Sequence, residues 1–279
     1  MIVWKDAPMR QKSNMKIGGV ADFFIEAENK EELPEIYRNY REIFLIGNGT
    51  NTLLSDGRLR RAFVSLKKLR DITELPEGRV RVGAGLDFKE LIRFMREKDY
   101  GGLENLAGIP GTVGGLTCMN AGAYGGRIFD CIESVGIMDE NLALRTLEKE
   151  EIKFSYRYTE IRDRGWVIVN VTFRFGKGFD LARVKEIQAM REAKQPLNYP
   201  SLGSTFKNPD GAFAARLITD AGLKGRRIGD AQISEKHPNF IINLGNAAYS
   251  DVTGLIELVC TTVRARSGIA LEKEIVVVE

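Results

Sequence analysis

The chain has 279 residues, of which 43% are hydrophobic and 28% are charged, so it can bury a substantial core and form two or three lobes. Its 41 basic and 38 acidic residues give a net charge of +3, and this balance argues against nucleic acid as a partner. No apolar run approaches the roughly 20 residues that span a bilayer, and the N-terminus lacks the pattern of a secretion signal. We therefore expect a cytoplasmic protein without membrane insertion.

Cysteine and histidine are scarce. Cys118, Cys131 and Cys260 are widely spaced and form neither a metal-ligand pattern nor a disulfide framework, which favours a reducing compartment. His237 is the single histidine, so a multi-histidine metal site is excluded. No Gly-x-Ser-x-Gly motif is present either. We expect no metal centre and no serine hydrolase.

In the first third of the chain, hydrophobic periodicity and capping residues predict short strands and two helices. In chain order, these elements are a strand at 22–27, a helix at 29–40, strands at 43–46, 62–66 and 79–83, and a helix at 87–98. Asn29 and Asp87 are the predicted N-caps of the two helices. Four apolar residues share one face of the second helix, namely Phe88, Leu91, Ile92 and Met95.

A glycine-rich segment follows at 104–126, where the density of glycine predicts irregular backbone rather than a helix or a strand. The later elements are strands at 131–138, 141–147 and 167–175, helices at 180–194 and 212–221, a strand at 239–244, a helix at 250–266 and a strand at 275–278. Alternation of apolar and polar residues predicts that the strand at 167–175 is half-buried. Leu181, Val184 and Ile187 are expected to face inward from the helix at 180–194. Ser250 and Gly268 are expected to cap the long helix at 250–266.

Two glycine-rich segments have the composition of ligand-binding loops. The first, Gly47-Asn48-Gly49-Thr50-Asn51, follows the apolar run 43–46, and its residues allow a concave set of backbone N–H donors that suits a diphosphate. A tight turn between strands explains this short motif equally well.

The second segment, 104–126, places small side chains at Asn120-Ala121-Gly122, where a flat ring could lie against the backbone. A packed crossover between sheets is the alternative. The segment lacks the strand–GxGxxG–helix context of a Rossmann dinucleotide site. Together the two segments indicate a large cofactor.

Five motifs occur in order along nearly the whole chain. They are GNGTNTLLSD at 47–56, ENLAGIPGTVGG with MNAGAYG within 104–125, Tyr156-Arg157-Tyr158, GSTFKNP at 203–209, and LEKEI at 271–275. In this order they closely resemble the UDP-N-acetylenolpyruvoylglucosamine reductase (MurB) family of peptidoglycan synthesis. The chain departs from the family's usual pattern at Met15, where threonine is frequent, and at Val276, where a basic residue is frequent.

The resemblance implies an α+β flavoenzyme with mixed sheets. Its two-lobed, PCMH-like FAD-binding domain is expected at 1–66 and 67–179, and a smaller α+β substrate-binding domain at 180–279, with the C-terminal strand returning to the active site. In this family NADPH reduces FAD, and the reduced flavin converts UDP-N-acetylglucosamine enolpyruvate to UDP-N-acetylmuramate, which serves cell wall biogenesis, cell division and cell shape. The short interval between Arg157 and Lys194 resembles the branch that lacks an extra tyrosine-bearing substrate loop. The sequence does not indicate an oligomeric state.

The resemblance also implies which residues bind FAD. They lie in the two glycine-rich segments, at Gly47, Asn48, Gly49, Thr50, Asn51, Gly108, Ile109, Pro110, Gly111, Gly114, Gly115, Asn120, Ala121 and Gly122. Some flavoproteins of this fold attach FAD through histidine or cysteine. His237 lies far downstream of both segments and Cys118 has an apolar setting, so we expect non-covalent FAD.

Hydride addition to an enolpyruvyl ether needs a cation beside the substrate carboxylate, a group that holds the enol form, and a proton donor. The resemblance assigns these roles to Arg157, Glu274 and Ser204. Gly203 and Asn208-Pro209 would form a rigid turn that aims the Ser204 hydroxyl. Without the resemblance, the simpler interpretations are a surface arginine, an exposed acid and an ordinary turn serine.

The substrate-side candidates are Lys194, Lys207, Asn208 and His237. Lys194 and Asn208 match positions of UDP-sugar contacts in the family. His237 belongs to a predicted loop at 234–239, where the match to the family is loose, and a loop histidine without a special role is the simpler interpretation there.

Two other functions compete with this prediction. A different FAD enzyme, such as an oxidase of a small alcohol or hydroxy acid, would share both glycine-rich segments but would not need Ser204, Arg157 and Glu274 together. A non-catalytic nucleotide-binding module would hold no flavin at all.

Overall fold

The computed structural model describes all residues from 1 to 279. The helices are α1 Leu33–Asn39, α2 Phe88–Glu97, α3 Val113–Cys118, α4 Glu160–Asp163, α5 Leu181–Lys194, α6 Ala214–Asp220 and α7 Tyr249–Ser267. The strands are β1 Ile2–Pro8, β2 Val20–Glu26, β3 Ile43–Leu45, β4 Thr52–Leu54, β5 Arg58–Ser65, β6 Ile72–Glu74, β7 Arg79–Gly83, β8 Tyr100–Gly101, β9 Gly122–Ala123, β10 Gly126–Arg127, β11 Ile132–Met138, β12 Leu144–Glu148, β13 Phe154–Ser155, β14 Tyr158–Thr159, β15 Val167–Arg174, β16 Gly176–Lys177, β17 Ser201–Ser204, β18 Arg227–Ile228, β19 Ala231–Ile233, β20 Phe240–Asn243 and β21 Val276–Val278.

These elements form two compact units. The first contains residues 1–5, 23–47 and 61–189, and the second contains residues 6–22, 48–60 and 190–279. Helices accompany both parallel and antiparallel strand pairs, so the predicted α+β class with mixed sheets is confirmed. None of the helices combines the length and the apolar composition that crossing a membrane requires.

The first unit is built around a five-stranded antiparallel sheet with the order β12-β11-β15-β7-β6. Its central strand, β15, was predicted to be half-buried, and this is wrong for its first half. Val167, Ile168 and Val169 are all buried, because both faces of the strand are covered there. A central strand with two covered faces loses the alternation of burial that its sequence suggests.

Helix α1 packs beside the parallel pair β3 and β5, where Phe44 lies opposite Phe63. The Asn29 side chain accepts a hydrogen bond from the backbone of Glu32 at 3.2 Å, as its predicted capping role requires. Buried Leu33 and Ile36 join the apolar residues of β5 in one hydrophobic cluster. The predicted helix at 29–40 is therefore confirmed, with its first turn in the 3-10 conformation.

The second glycine-rich segment contains a helix, which corrects the expectation of irregular backbone throughout. Helix α3 begins after Thr112, whose hydroxyl accepts a hydrogen bond from the Gly115 N–H at 3.3 Å. A Cβ atom at Gly114 would lie 2.8 Å from the Cβ of Ala84. Close packing of this helix against the chain at Ala84 is the reason that a glycine occupies a helical position.

The second unit contains the antiparallel sheet β17-β20-β19-β18 and the parallel pair β21 and β4. Helix α7 supplies Val252, Leu255, Val259 and Val263 to its hydrophobic core. A regular apolar stripe of this kind stabilises a long helix mainly through burial.

Two predicted details of the helices are wrong. Helix α7 begins before Ser250, because the Asp251 carboxylate accepts the Ala248 N–H at 2.9 Å and so fixes the start of the helix. Leu181 is 42% exposed at the start of α5, and only Val184 and Ile187 of the expected apolar face are buried. The predicted C-terminal cap is confirmed, since Gly268 has φ +73° and donates to the Arg264 carbonyl at 2.9 Å.

Candidate active site

Arg157 lies in a two-residue turn between β13 and β14 and has φ +55°, which is uncommon for a residue with a side chain. Its Nη2 donates to the Gly122 carbonyl at 2.8 Å, and its guanidinium lies 5.0 Å from the centre of the Tyr156 ring. Arg157 is therefore not an unconstrained surface arginine. Its side chain is oriented against the small residues of the second glycine-rich segment.

The hairpin that carries Arg157 is attached to that segment at two further points. The Nδ2 of Asn120 donates to the Ser155 carbonyl at 2.8 Å, and the Thr159 hydroxyl donates to the Cys118 carbonyl at 2.5 Å. Asn120 is 1% exposed, and its Oδ1 is buried without a hydrogen-bond partner. The structure thus brings the predicted residues Asn120, Gly122 and Arg157 together in the first unit.

The glycine positions of the predicted cofactor segments form a tightly packed backbone. A Cβ at Gly47 would lie 2.7 Å from the Thr112 hydroxyl, so the beginning of the first segment packs against the second one. Gly108 and Gly111 have φ +85° and +147°, which side chains rarely allow. Ile109, between these glycines, is half-buried, whereas Pro110 and, beyond them, Gly115 are exposed. The positions Gly108, Pro110 and Gly115 are therefore accessible to a ligand.

The rest of the first glycine-rich loop, 48–51, belongs to the second unit. A Cβ at Gly49 would lie 2.2 Å from the Lys12 carbonyl oxygen, and the Gly49 carbonyl accepts the Asn14 N–H at 3.0 Å. The Asn51 side chain donates to the Glu274 carbonyl at 3.1 Å. The Asn51 carbonyl in turn accepts the Val276 N–H at 2.9 Å. This loop therefore also supports the strand that follows Glu274.

Ser204 is the last residue of β17, and the strand register against β20 shifts between Ser201 and Ser204. Gly203 has φ +75°, a left-handed conformation that fits such an irregularity. Ser204 is thus held at the end of a strand, whereas a rigid turn was expected around it. Residues 205–207 separate it from Asn208, whose side chain accepts the Ala214 N–H at the start of α6.

The segment after Ser204 pairs with the segment that carries Glu274. The Glu274 N–H donates to the Thr205 carbonyl at 2.8 Å, and Phe206 lies opposite Lys273 in an antiparallel bridge. The structure therefore brings the segment directly after Ser204 against the segment of Glu274 in the second unit, although 69 positions separate Thr205 from Glu274 in the sequence.

Among the predicted substrate residues, Lys207 forms an ion pair with Glu272 at 2.6 Å. Lys194 is exposed at the end of α5. The His237 ring packs edge-on against Phe240, with its Nδ1 buried and without a partner. Burial lowers the pKa of His237 below its ordinary value, which favours the neutral ring.

Asn239 is the residue whose role the sequence did not indicate beyond its place in the 234–239 loop. Its side chain bonds to both backbone groups of Phe206: Oδ1 accepts the N–H at 3.0 Å and Nδ2 donates to the carbonyl at 2.8 Å. The one available signal is an asparagine directly before the apolar strand 240–243, which by itself does not point to a distant backbone partner.

The chain is similar to known proteins over its length. The family model described as the UDP-N-acetylenolpyruvoylglucosamine reductase C-terminal domain matches residues 195–278, and an FAD binding domain model matches residues 21–147. A UDP-N-acetylenolpyruvoylglucosamine reductase of Fusobacterium nucleatum subsp. nucleatum is 49% identical over 280 residues, covering 100% of both chains. One of the same name from Caldanaerobacter subterraneus subsp. tengcongensis is 39% identical over 284 residues, covering 99% of this chain and 93% of the relative.

A solved structure of the same kind is also similar. It is the UDP-N-acetylenolpyruvylglucosamine reductase (MurB) of Thermus caldophilus, with a TM-score of 0.85, 31% identity, and coverage of 100% of this chain and 98% of that one. These likenesses extend over the full length and confirm the resemblance that the motifs indicated. The chain belongs to the UDP-N-acetylenolpyruvoylglucosamine reductase family.

Proposed function

We infer that this protein reduces UDP-N-acetylglucosamine enolpyruvate to UDP-N-acetylmuramate in peptidoglycan precursor synthesis, with FAD as cofactor and NADPH as reductant. Full-length membership of the reductase family supports the reaction, and the FAD binding domain match over residues 21–147 supports the cofactor. The observation that supports the proposal in this chain is the backbone pairing between the segment that directly follows Ser204 and the segment that carries Glu274.

The residues present fit a bound FAD. The second glycine-rich segment is exposed at Gly108, Pro110 and Gly115, and its buried Asn120 Oδ1 lacks a hydrogen-bond partner within the protein. The N–H groups and small residues of the two segments suit a diphosphate and a flat ring respectively. We propose that the fourteen glycine-loop positions predicted above, from Gly47 to Gly122, hold this cofactor. Hydride transfer from NADPH to the substrate is the chemistry that the bound flavin supplies.

Arg157 is proposed to hold the substrate carboxylate. Its bond to the Gly122 carbonyl orients the guanidinium beside the small-residue segment. A guanidinium stays charged at all physiological pH values and matches the planar geometry of a carboxylate. Such a fixed cation stabilises the negative charge that develops on the carboxylate when hydride is added to the double bond.

Ser204 and Glu274 are proposed to act in the protonation of the substrate that follows hydride addition. The Ser204 hydroxyl gives its proton to the substrate carbon next to the carboxylate, and the Glu274 carboxyl group helps to hold the enol form. The segments 205–207 and 272–274 are paired through backbone hydrogen bonds. This pairing restricts the backbone next to both residues and so lowers the entropy cost of reaching the reactive geometry.

Four residues are proposed to contact the UDP-sugar, namely Lys194, Lys207, Asn208 and His237. Lys194 supplies an exposed positive charge for the diphosphate. Lys207 is paired with Glu272, so a role with substrate requires exchange of that partner. We retain the division into FAD-binding lobes 1–66 and 67–179 and a substrate domain 180–279 as part of the proposal. The three free thiols agree with a cytoplasmic setting.

The deciding experiment is anaerobic. The purified flavoprotein is reduced with NADPH, the enolpyruvyl UDP-sugar is added, and the absorbance of oxidised flavin is followed. We expect the flavin to be reoxidised and UDP-N-acetylmuramate to form in equal amount. A flavin that stays reduced, or oxygen uptake driven by a hydroxy acid without NADPH, would refute the proposal.

A further inference from the structure

The backbone just after Ser204 has different partners on its two sides. On one side it pairs with the segment of Glu274, through the Thr205 carbonyl and the Phe206–Lys273 bridge. On the other side β20 pairs with Ser204 through Phe240, the first residue of that strand. The regular ladder on this side ends there.

Beyond Phe240, the main chain and the side chain of Asn239 supply the hydrogen bonds on that side. Its own carbonyl accepts the Thr205 N–H at 2.7 Å, and its amide group bonds to both the N–H and the carbonyl of Phe206. One residue thus satisfies three backbone groups in succession directly after the proposed proton donor. Asn239 is 4% exposed and Phe206 is 1% exposed, so water does not replace these bonds.

Only an amide of this length makes both contacts with Phe206. An aspartate offers acceptors alone, so it can bind the Phe206 N–H but faces the Phe206 carbonyl without a donor. An alanine leaves both backbone groups buried and unpaired. The backbone of Ser204 is continuous with Phe206, and any shift there moves the Ser204 hydroxyl relative to Glu274.

We propose that Asn239 is a positioning residue for the reaction: its amide clamps Phe206 and thereby sets the place of the Ser204 hydroxyl beside Glu274. This inference rests on the proposed function, because it concerns the proton transfer assigned to Ser204. It predicts that loss of the amide slows the step in which substrate is protonated and leaves the reduction of flavin by NADPH unchanged.

The test compares Asn239→Ala and Asn239→Asp with a matched control, Asn243→Ala. Asn243 is a buried asparagine of the same sheet, 1% exposed, whose side chain bonds to the Met15 carbonyl and to the N–H groups of Gly245 and Ala247. The Asn243→Ala variant loses a comparable set of buried hydrogen bonds, but none of these bonds involves the segment after Ser204. Both half-reactions are followed by stopped-flow absorbance at several concentrations of enolpyruvyl UDP-sugar.

We expect Asn239→Ala to reduce the saturating rate of flavin reoxidation by about 10-fold to 100-fold, the cost of a small misplacement of a reacting group. Asn239→Asp is expected to lie between it and the wild type. The substrate concentration for half-maximal rate should change less than about twofold, and Asn243→Ala should reoxidise at the wild-type rate. In the FAD-free protein, amide hydrogen exchange of Thr205 and Phe206 should be faster in Asn239→Ala and unchanged in Asn243→Ala.

A wild-type reoxidation rate in Asn239→Ala would overturn the inference, and so would an equal loss in Asn243→Ala. If Asn239→Ala does not fold, the same criteria apply to Asn239→Asp. Failure of the proposed function has a different signature, because the wild-type flavin itself would then remain reduced after the UDP-sugar is added.

Discussion

Ser204 has a hydroxyl that can act only if the substrate carbon is basic enough to take its proton. We predict that Ser204→Ala leaves flavin reduction by NADPH intact and slows reoxidation by the enolpyruvyl substrate by about 10²–10⁴-fold, the usual contribution of a positioned proton donor. Rapid-mixing traces of the two half-reactions separate these effects. Superimposable reoxidation traces of variant and wild type would remove Ser204 from the mechanism.

Arg157 allows a second test on a single residue. Replacement by lysine keeps the positive charge but removes the planar guanidinium. Arg157→Lys loses the bond that orients the guanidinium on the Gly122 carbonyl. We predict that reoxidation slows by about 10-fold to 100-fold, somewhat less than for complete loss of a charge-stabilising donor. Arg162→Lys, at an exposed arginine nearby, is the control. Equal rates in both variants would mean that charge alone suffices at position 157.

Helix α3 shows how an element can depend on its glycines. Gly114 is buried with 2.8 Å between its potential Cβ and that of Ala84, whereas Gly115 is exposed and meets only the Thr112 hydroxyl at 3.2 Å. Gly114→Ala is therefore predicted to lower the free energy of unfolding by about 1–3 kcal/mol through overpacking. Gly115→Ala should be neutral or stabilising by up to about 1 kcal/mol, because alanine favours helix. Urea denaturation of the FAD-free variants measures both, and equal stability of the two would contradict this packing argument.

The elements that were predicted well are those whose local sequence signals agree with their burial. Helix α2 and strand β11 have clear apolar patterns, and both were expected at nearly their observed positions. Helix α3 was not expected because glycine has a low helix propensity. The helix depends instead on packing of Gly114 against Ala84, a contact that the local sequence does not reveal. The four-residue strand β17 was missed because it is short and contains Gly203 at an irregular register.

At the scale of the whole molecule, FAD should stabilise the native state reversibly. A ligand that binds only the folded protein adds about 1.4 kcal/mol of stability for each tenfold increase in concentration above its Kd. We predict that the melting temperature of the FAD-free protein rises steadily with added FAD.

The bound FAD should be held non-covalently. Burial raises the pKa of the Cys118 thiol, which disfavours the nucleophilic thiolate that a covalent bond to flavin would need. Acid precipitation should therefore release the yellow colour into the supernatant. Colour that stays with the washed precipitate would show a covalent attachment and contradict the prediction, and a melting temperature independent of FAD would contradict reversible binding.

The sequence by itself determined the family and the α+β class, because ordered motifs and apolar periodicity are local properties that can be read along the chain. The residues of the reaction stay a prediction. It also placed the predicted cofactor positions in two segments rich in glycine. Only the tertiary structure decided which of these groups meet: Arg157 with Gly122, Glu274 with Thr205, and Asn239 with Phe206. Each of these contacts joins backbone or side-chain groups more than 30 positions apart in the chain. Such pairs form only when packing brings distant segments together, so their physical cause lies in the fold and not in any local pattern.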